Sequence, residues 1–502
     1  MSAMPAERDD AVEAEEPWLL PHGWESAPLA RFLANGQITV DPRREPQRTF
    51  VLYSVPSFEK RMPDRVRGAE IFSPKRKVEP ESVLLCKINP RINRAWVVSD
   101  HQGEEIIASP EWITFPNNAV LEPHYLRYFL STERVRQHLS QNVSGVGGSL
   151  MRVNGSTIGE IVMPIAPLSE QRRIVARIDE LFAEIAEGEA ALERARSGLD
   201  TWRRALLKAA VTGELTRDWR ESNRGTESGT QLAERIRASL ESKAKRRRGT
   251  KKLDAGGPTS RPLPEGWTWV TWGEVGLSQN GRAFPSNEYA ESGTKLLRPG
   301  NLFSDGSVRW TSKNTRYLPS KFEDENPDLI IKEKELVINL TAQSLRDEFL
   351  GRVCLTSEGE HCLLNQRLAR LTPFIISPEF MLIVFKSPIF REFVSDLNTG
   401  SLIQHMFTSQ MERFAFPLPP EDEQLAIRTT MEGALSVIAD TEKTISDGLA
   451  DTKALRQSIL KSAFEGRLVR QNPSDEPASA LLARLHAEVS SAPRRRGRKP
   501  AS

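Results

Sequence analysis

The sequence predicts mixed α/β (α+β) globular regions in two pseudo-repeated halves, each followed by a long helix. Three observations lead to this prediction. One stretch of the chain recurs near its end at a constant spacing, both copies carry the periodicity of a long helix, and the regions before them mix short strands with helical stretches. A chain built in this way would hold two similar heads apart.

The recurring stretch covers residues 167–215 and 419–468. Three short matches share a spacing of 253 positions: Glu170-Gln171 with Glu423-Gln424, Lys208 with Lys461, and Gly213-Glu214-Leu215 with Gly466-Arg467-Leu468. The duplication extends beyond the helices, since Leu20-Pro21-His22-Gly23-Trp24 recurs as Leu263-Pro264-Glu265-Gly266-Trp267 at a spacing of 243. The drift in spacing is expected of diverged halves whose extra length lies in loops.

Apolar and small residues in each copy follow steps of four and three, which is the heptad pattern of a coiled coil. The predicted seam comprises Ile174, Ile178, Leu181, Ile185, Leu192, Leu199 and Leu206 in the first copy, and Ile427, Ile438, Ile445, Leu455 and Ile459 in the second. About 40 residues at 1.5 Å per residue give a helix of roughly 60 Å. We expect the two helices to pair within the chain. The alternative is that each helix only packs on its own globular region.

The globular regions carry short apolar runs at 82–88 and 335–340, which predict strands. Helices are expected near 123–140 and 378–397, each opened by a proline. Glycine-containing segments follow at 145–150 and 399–402. Such a loop is usually a flexible connection, but its backbone N–H groups can also bind phosphate.

Composition places the 502-residue chain among ordinary globular proteins, with 38% hydrophobic and 27% charged residues. No apolar run reaches the ~18–20 residues of a membrane span. Three cysteines without metal-ligand spacing are expected to be free thiols in a reducing cytoplasm.

The net charge of +2 hides an uneven distribution. Residues 41–94 contain 13 Lys/Arg against 7 Asp/Glu, and basic runs lie at 243–252 and 494–499. Such runs are usually solvated linkers or tails, although they can also attract phosphate without sequence preference.

The motifs together resemble the specificity subunit of type I restriction–modification systems. The resemblance rests on the two Leu-Pro-x-Gly-Trp motifs, on PLSEQRRIVARIDELF at 167–182 and PLPPEDEQLAI at 417–427, and on the helix ends LLKAAVTGEL and ILKSAFEGRL. It covers residues 18 to 472. Together with the acidic and basic composition of the ends and the linker, it predicts the following organisation: an acidic disordered tail (1–16), target-recognition domain 1 (17–166), a central spacer helix (167–215), a basic linker (216–261), target-recognition domain 2 (262–416), a C-terminal spacer helix (417–470) and a basic disordered tail (471–502).

The resemblance implies that each domain reads one half of a bipartite site in double-stranded DNA. It further implies that the helices form an antiparallel coiled coil that docks two methyltransferase (M) subunits, which methylate adenine, and that two restriction (R) subunits can join. S-adenosylmethionine, ATP and Mg²⁺ would belong to those partners, and this chain would be non-catalytic and hold no cofactor or metal. The sequence agrees in lacking an Asn-Pro-Pro-Tyr methyltransferase motif and a Gly-x4-Gly-Lys-Ser/Thr phosphate loop.

DNA would be read by side chains that donate or accept hydrogen bonds at base edges, helped by cations at phosphates. The candidates in the first region are Lys75, Arg76, Lys77, Lys87, Arg91, Arg94 and Arg152. Those in the second are Arg282, Arg298, Asn301, Arg346, Arg352, Gln366 and Arg367. Any one of them is more often a solvated surface residue. Arg152 follows the glycine segment, and Gln404 lies near the corresponding position of the second half.

Two rival interpretations remain at this point. One is a stand-alone DNA methyltransferase or nuclease with duplicated heads, which methyl transfer by the pure chain would reveal. The other is a structural or adaptor coiled-coil protein whose heads bind proteins, which salt-dependent DNA binding by the M-bound complex would argue against.

Overall fold

A computed structural model describes residues 19–34, 36–142, 151–223, 227–244, 261–342, 348–397 and 404–491. These residues form two compact units. The first contains the chain up to Leu192 together with the chain from Asp447 onward, and the second contains Glu193–Ser446. Each unit therefore combines one globular head with segments of both long helices. We call residues 19–166 the first head and residues 261–418 the second head.

The first head consists mainly of short strands. They are β1 Glu25–Pro28, β2 Thr39–Val40, β3 Thr49–Tyr53, β4 Asp64–Arg67, β5 Lys75–Lys77, β6 Val83–Cys86, β7 Ala95–Val97, β8 Ile106–Ala108, β9 Trp112–Phe115 and β10 Val162–Ile165. Their sheets have the orders β2-β5-β8-β3-β4, β7-β6-β9 and β1-β10. All four residues of β6 are buried, which explains why this strand appears in the sequence as a continuous apolar run.

Four helices accompany these strands: α1 Val55–Glu59, α2 Pro123–Leu130, α3 Glu133–Gln141 and α4 Gly155–Glu160. The helix expected over 123–140 is thus two helices. The hydroxyl of Thr132 accepts a hydrogen bond from the Val135 amide at 3.4 Å, so the N-cap of a new helix directly follows Ser131, which caps the first.

The first long helix is α5 Leu168–Thr212, and it is followed by α6 Arg217–Ser222 and α7 Gly229–Ala244. The second head adds strands β11 Thr268–Thr271, β12 Gly276–Asn280, β13 Thr294–Leu297, β14 Tyr317–Leu318, β15 Ile330–Ile331, β16 Leu336–Asn339, β17 Thr341–Ala342, β18 Val353–Leu355, β19 Cys362–Leu364, β20 Leu368–Pro373, β21 Gln404–His405 and β22 Ala415–Leu418. Its helices are α8 Trp272–Val275, α9 Lys321–Glu325, α10 Pro378–Lys386, α11 Pro388–Asp396 and α12 Thr408–Met411. The chain continues with α13 Glu421–Phe464 and α14 Ala478–Ser491. As in the first head, the helix expected over 378–397 is split, here at Ser387, because the residue before a proline avoids the helical region.

The two heads repeat one topology. The pair β1-β10 corresponds to β11-β22, and the strands β7-β6-β9 correspond to β18-β16-β20. Each head also has one parallel pair, β3 with β8 in the first and β13 with β19 in the second. The predicted duplication and the α/β (α+β) class are confirmed.

The long helices run antiparallel. In the first unit Arg456 pairs with Glu189 at 2.9 Å, while Leu192, further along α5, lies against Gly448, earlier in α13. In the second unit Arg203 pairs with Glu442 at 2.9 Å. The predicted seam is buried at Ile174, Ile178, Ile185, Ile427, Ile438, Ile445 and Ile459, and half-buried at Leu181, Leu192, Leu199 and Leu206.

The heptad prediction is wrong at Leu455, whose surface is 51% exposed. Near this end of α13 the buried residues are Ile459, Leu460, Ala463 and Phe464, which join the core of the first head. Near the end of α5 the buried residues are likewise Leu207, Ala210 and Val211, in the core of the second head. Near its end each long helix thus packs against a head, and the buried face there includes positions outside the heptad pattern. The helices both pair with each other and end against heads.

The recurring sequence motifs meet in space at two places, which we call motif junctions. The first motif junction is formed by Pro21, Trp24, Glu170 and Gly466, and the second by Pro264, Trp267, Glu423 and Gly213. In each, the indole N–H of the tryptophan donates to the buried glutamate, at 3.1 Å in the first and 2.8 Å in the second. Each glycine has a positive φ, 69° and 76° respectively, and contacts the proline so closely that a side chain would collide. These motifs therefore hold a head, the start of one long helix and the end of the other together.

Helices also occur where the sequence predicted a linker and a disordered tail. The Ala478 amide of α14 donates to Gly23 O at 2.9 Å, and the Gly229 amide of α7 donates to Gly266 O at 2.7 Å. Leu481 and Leu232 are buried in the cores of their respective units. The linker and tail assignments missed these helices because the neighbouring basic runs dominate the composition there.

Candidate nucleic-acid interface

A polar edge of the first head is built where three chain segments meet at the end of β6. The Lys87 amide donates to Glu111 O at 3.0 Å, the Val153 amide donates to Lys87 O at 3.0 Å, and Ile88 pairs with Arg152 as an isolated β-bridge. We call residues 87–94, 109–111 and 151–153 the first polar edge.

The second head repeats this backbone bond for bond. The Leu340 amide donates to Arg367 O at 3.0 Å, the Met406 amide donates to Leu340 O at 3.0 Å, and Thr341 pairs with His405. We call residues 280–282, 340–342, 365–367 and 404–408 the second polar edge. The matching bonds make Lys87 equivalent to Leu340, Glu111 to Arg367, and Arg152 to His405.

The side chains on the two edges differ although the backbone is the same. On the first, Arg152 forms an ion pair with Glu111 at 2.8 Å, and Lys87 Nζ lies 3.9 Å from the same carboxylate. Arg91 is exposed on the short 3-10 turn Pro90–Ile92. The turn is flanked by Asn89 and Asn93 in the left-handed region, a conformation that asparagine tolerates.

On the second polar edge Arg282 donates to the Asn326 side chain at 2.7 Å. Gln366 and Arg367 are exposed in the tight turn between β19 and β20. His405 is exposed beside them, and Phe407 is 65% exposed. An aromatic face and several donors thus share one surface, a combination suited to nucleotides.

Three further candidates lie on β5, which flanks the first polar edge because Arg76 pairs with Ala108, just before residues 109–111. Arg76 donates to Trp112 O at 3.2 Å, and Lys75 donates to Ser73 O at 3.0 Å. Burial lowers the pKa of Lys75. Lys77 is exposed, 3.9 Å from Glu79.

Arg94 and Arg352 occupy equivalent places, since their carbonyl groups accept from Cys86 N at 3.0 Å and Asn339 N at 2.9 Å. Arg94 forms an ion pair with Glu59 at 2.9 Å, and Arg352 donates to Leu302 O at 3.2 Å. Both side chains are therefore engaged within their own head.

Asn301 is corrected by the structure. It is fully buried, its side-chain oxygen accepts from the Arg298 amide at 2.9 Å, and its side-chain nitrogen donates to Arg309 O at 3.3 Å. Both ends of the amide close the turn Pro299–Asn301, so neither is free to read a base. The Arg298 guanidinium lies over the Tyr289 ring at 5.9 Å.

Several predicted features lie outside the described residues: Arg346, the glycine segments at 145–150 and 399–402, the acidic tail, and most of the basic runs. The side chain of Gln404 is likewise not described, and the register of the strand pairs makes His405 the position equivalent to Arg152.

The sequence reasoning missed Glu111, His405 and Phe407 because it searched for cations and amides. Glu111 could have been found only by aligning the two halves at their strands. Such an alignment places Glu111 directly before β9 and Arg367 directly before the equivalent strand β20.

The three cysteines are free and buried. Burial raises the pKa of the Cys86 thiol, and it raises the pKa of Cys354 to about 12, so these thiols are poor nucleophiles at neutral pH. Among the described residues there is no cluster of His, Cys, Asp or Glu that could hold a metal ion, and none of the helices there has both the length and the apolar character to cross a membrane.

The two heads share a backbone scaffold but differ in their side chains, and both are attached to the paired long helices. This arrangement is typical of a duplicated protein whose two halves recognise different targets. Comparison with known proteins agrees. The family described as "Type I restriction modification DNA specificity domain" matches residues 264–450. The type I restriction enzyme EcoAI specificity subunit of Escherichia coli is 24% identical over 506 residues, covering 88% of this chain and 83% of that protein. The EcoBI specificity subunit of Escherichia coli is 23% identical over 364 residues, covering 70% of this chain and 69% of that protein.

Solved structures show the same fold. One chain comes from a structure that concerns complex assembly and conformational transition of the type I R-M system. It aligns with a TM-score of 0.67 and 20% identity, covering 90% of this chain and 100% of that one. The HsdS subunit from Thermoanaerobacter tengcongensis aligns with a TM-score of 0.51 and 20% identity, covering 90% and 99%. The chain is thus similar over most of its length to type I restriction–modification specificity subunits, and its second half matches the model of their DNA specificity domain.

Proposed function

We propose that the chain reads a bipartite DNA site, with the first polar edge contacting one half-site and the second polar edge the other. The observation that carries the proposal is the bond-for-bond repetition of one backbone scaffold with different side chains. A protein that must recognise two different short sequences in the same geometry needs this combination. Phosphate contacts would position each head, and side chains on each edge would read bases.

The long helices are proposed to dock two methyltransferase subunits that methylate adenine, with up to two restriction subunits joining the complex. Large apolar side chains that remain exposed on these helices support the proposal: Trp202 and Val437 in the second unit, and Leu455 in the first. Single exposed apolar residues are common on protein surfaces, so these three are candidate contacts, and the main support for docking is the similarity to specificity subunits.

Chemistry in such a complex would reside in the partners. S-adenosylmethionine would be bound by the methyltransferase subunits, and ATP with Mg²⁺ by the restriction subunits. The contribution of this chain would be to choose the DNA sequence, in the cytoplasm where the chromosome lies.

The test is the methylome of the host with the gene intact and deleted. Loss of one bipartite methyladenine motif on deletion is the expected result, and it would supply the target sequence. An unchanged methylome in cells that express the methyltransferase partner would reject the proposal in favour of an adaptor role.

A further inference from the structure

The position just before β9 in the first head and just before β20 in the second carries opposite charge. Glu111 occupies it in the first head and Arg367 in the second. The carbonyl group of each accepts the equivalent amide hydrogen bond, from Lys87 and Leu340 respectively, both at 3.0 Å. The two side chains therefore start from matching points of the two polar edges.

Glu111 is an acceptor with unused capacity. Arg152 donates to one carboxylate oxygen at 2.8 Å, whereas the other oxygen is buried without a hydrogen bond, 3.9 Å from Lys87 Nζ. The side chain as a whole is 24% exposed, and the oxygen that accepts from Arg152 has a second lone pair for a further donor. In the major groove the donors are the amino groups of cytosine (N4) and adenine (N6).

Arg367 offers only donors. Its side chain is exposed and, among the described residues, makes no hydrogen bond or ion pair. Guanine presents two acceptors, O6 and N7, in the spacing of a guanidinium fork, which makes arginine with guanine the commonest specific contact.

We propose that Glu111 and Arg367 are equivalent specificity-determining residues that read bases of opposite polarity. Glu111 accepts from a cytosine or adenine amino group in the first half-site, and Arg367 donates to a guanine in the second. Lys87 and Arg152 offset the charge of Glu111, so its carboxylate can approach DNA without repelling the phosphates. The inference rests on the proposed function of the polar edges.

The test uses the complete complex with its methyltransferase subunits, bound to duplexes in which every base pair of both half-sites is randomised. The bound sequences are then determined for the wild type, Glu111→Gln and Arg367→Gln. Glu111→Gln should relax the preference at one base pair of the first half-site, where the wild type discriminates between base pairs by about 5- to 100-fold. Arg367→Gln should relax a guanine preference at one base pair of the second half-site by a similar factor.

Matched controls are Glu104→Gln and Arg237→Gln, which remove exposed members of ion pairs with Arg65 and Glu274 away from the polar edges. Both controls should retain the wild-type site. The proposal is overturned if the variants lose affinity equally for all sequences, if the altered base pair lies in the other half-site, or if the base pair relaxed by Arg367→Gln is A·T and not G·C. A wild-type complex that selects no bipartite site at all would reject the proposed function itself.

Discussion

The two motif junctions share one hydrogen bond, from a tryptophan indole to a buried glutamate, but the other groups around the glutamate differ. Glu423 has a side chain that is 1% exposed, and it accepts from Trp267, from Thr216 at 2.7 Å and from Arg220 at 2.9 Å. Glu170 accepts from Trp24, but its second oxygen is buried without a hydrogen bond. Only the second junction thus neutralises its buried carboxylate with a directly bonded arginine.

Replacing Arg220 with methionine should therefore destabilise the second unit strongly. The change leaves Glu423 buried without its cation, which typically costs about 3–5 kcal/mol. Calorimetric unfolding of the full chain would measure it. Arg237→Met, which breaks an exposed pair with Glu274, should cost less than about 1 kcal/mol, and Glu423→Gln added to Arg220→Met should recover part of the loss. Equal losses for Arg220→Met and Arg237→Met would contradict this account.

Glu170 predicts a pH dependence in the first unit. Burial raises the pKa of Glu170, while the Trp24 indole and Arg173 lower it less and Asp475 adds to the rise. A carboxyl with a raised pKa holds its proton more tightly when folded, so its contribution to stability is lost as pH rises from the unfolded pKa through the folded one.

Glu170→Gln cannot ionise, and we expect its melting temperature relative to the wild type to increase across that window and then to level off above the folded pKa of Glu170. Melting temperatures of both proteins between pH 4 and 8 would test this. A difference that does not vary with pH would show that Glu170 ionisation does not matter for stability.

Whole elements follow local periodicity only where their environment is uniform. The heptad seam places Ile174, Ile178, Ile438 and Ile445 correctly, because there the helices bury one face continuously. It fails at Leu455 because α13 then packs on the head, where Leu460 and Phe464 are buried beside the seam residue Ile459. Periodicity predicts which face of a helix is apolar. When the packing partner changes along the helix, a different set of residues on that helix is buried.

Ile438→Ala and Leu455→Ala should show whether burial or heptad position decides how much a helix residue stabilises the fold. Ile438 is fully buried, so its truncation should cost about 2–4 kcal/mol, whereas that of Leu455 should cost less than about 1 kcal/mol. Chemical denaturation of the two variants gives the comparison. Similar losses would mean that Leu455 is covered in solution, for example by a partner subunit or another copy of the chain.

On the scale of the whole molecule, two heads with one scaffold predict that each head acts on its own half-site. Arg91 lies exposed on the first polar edge, so Arg91→Ala should weaken recognition of the first half-site by roughly 1–3 kcal/mol and leave the second unchanged. Affinities of the assembled complex for duplexes with either half-site scrambled would show this. Equal losses on both would make Arg91 a general phosphate contact or a folding residue.

The sequence by itself determined the duplication, the two long helices, most of their buried face and the family, because repeated motifs and periodicity are local properties of the chain. It also gave a set of candidates that includes Lys87, Arg91 and Arg152 on one polar edge and Arg282, Gln366 and Arg367 on the other. It could not separate these from Asn301, which is polar in the sequence and buried in the fold. Only the tertiary structure decided that the recurring motifs are junctions rather than binding sites, and that Glu111 and Arg367 are equivalent. The motif junctions and the equivalence of Glu111 and Arg367 both depend on hydrogen bonds between segments that are distant in the sequence. No local sequence pattern predicts which strand ends come together.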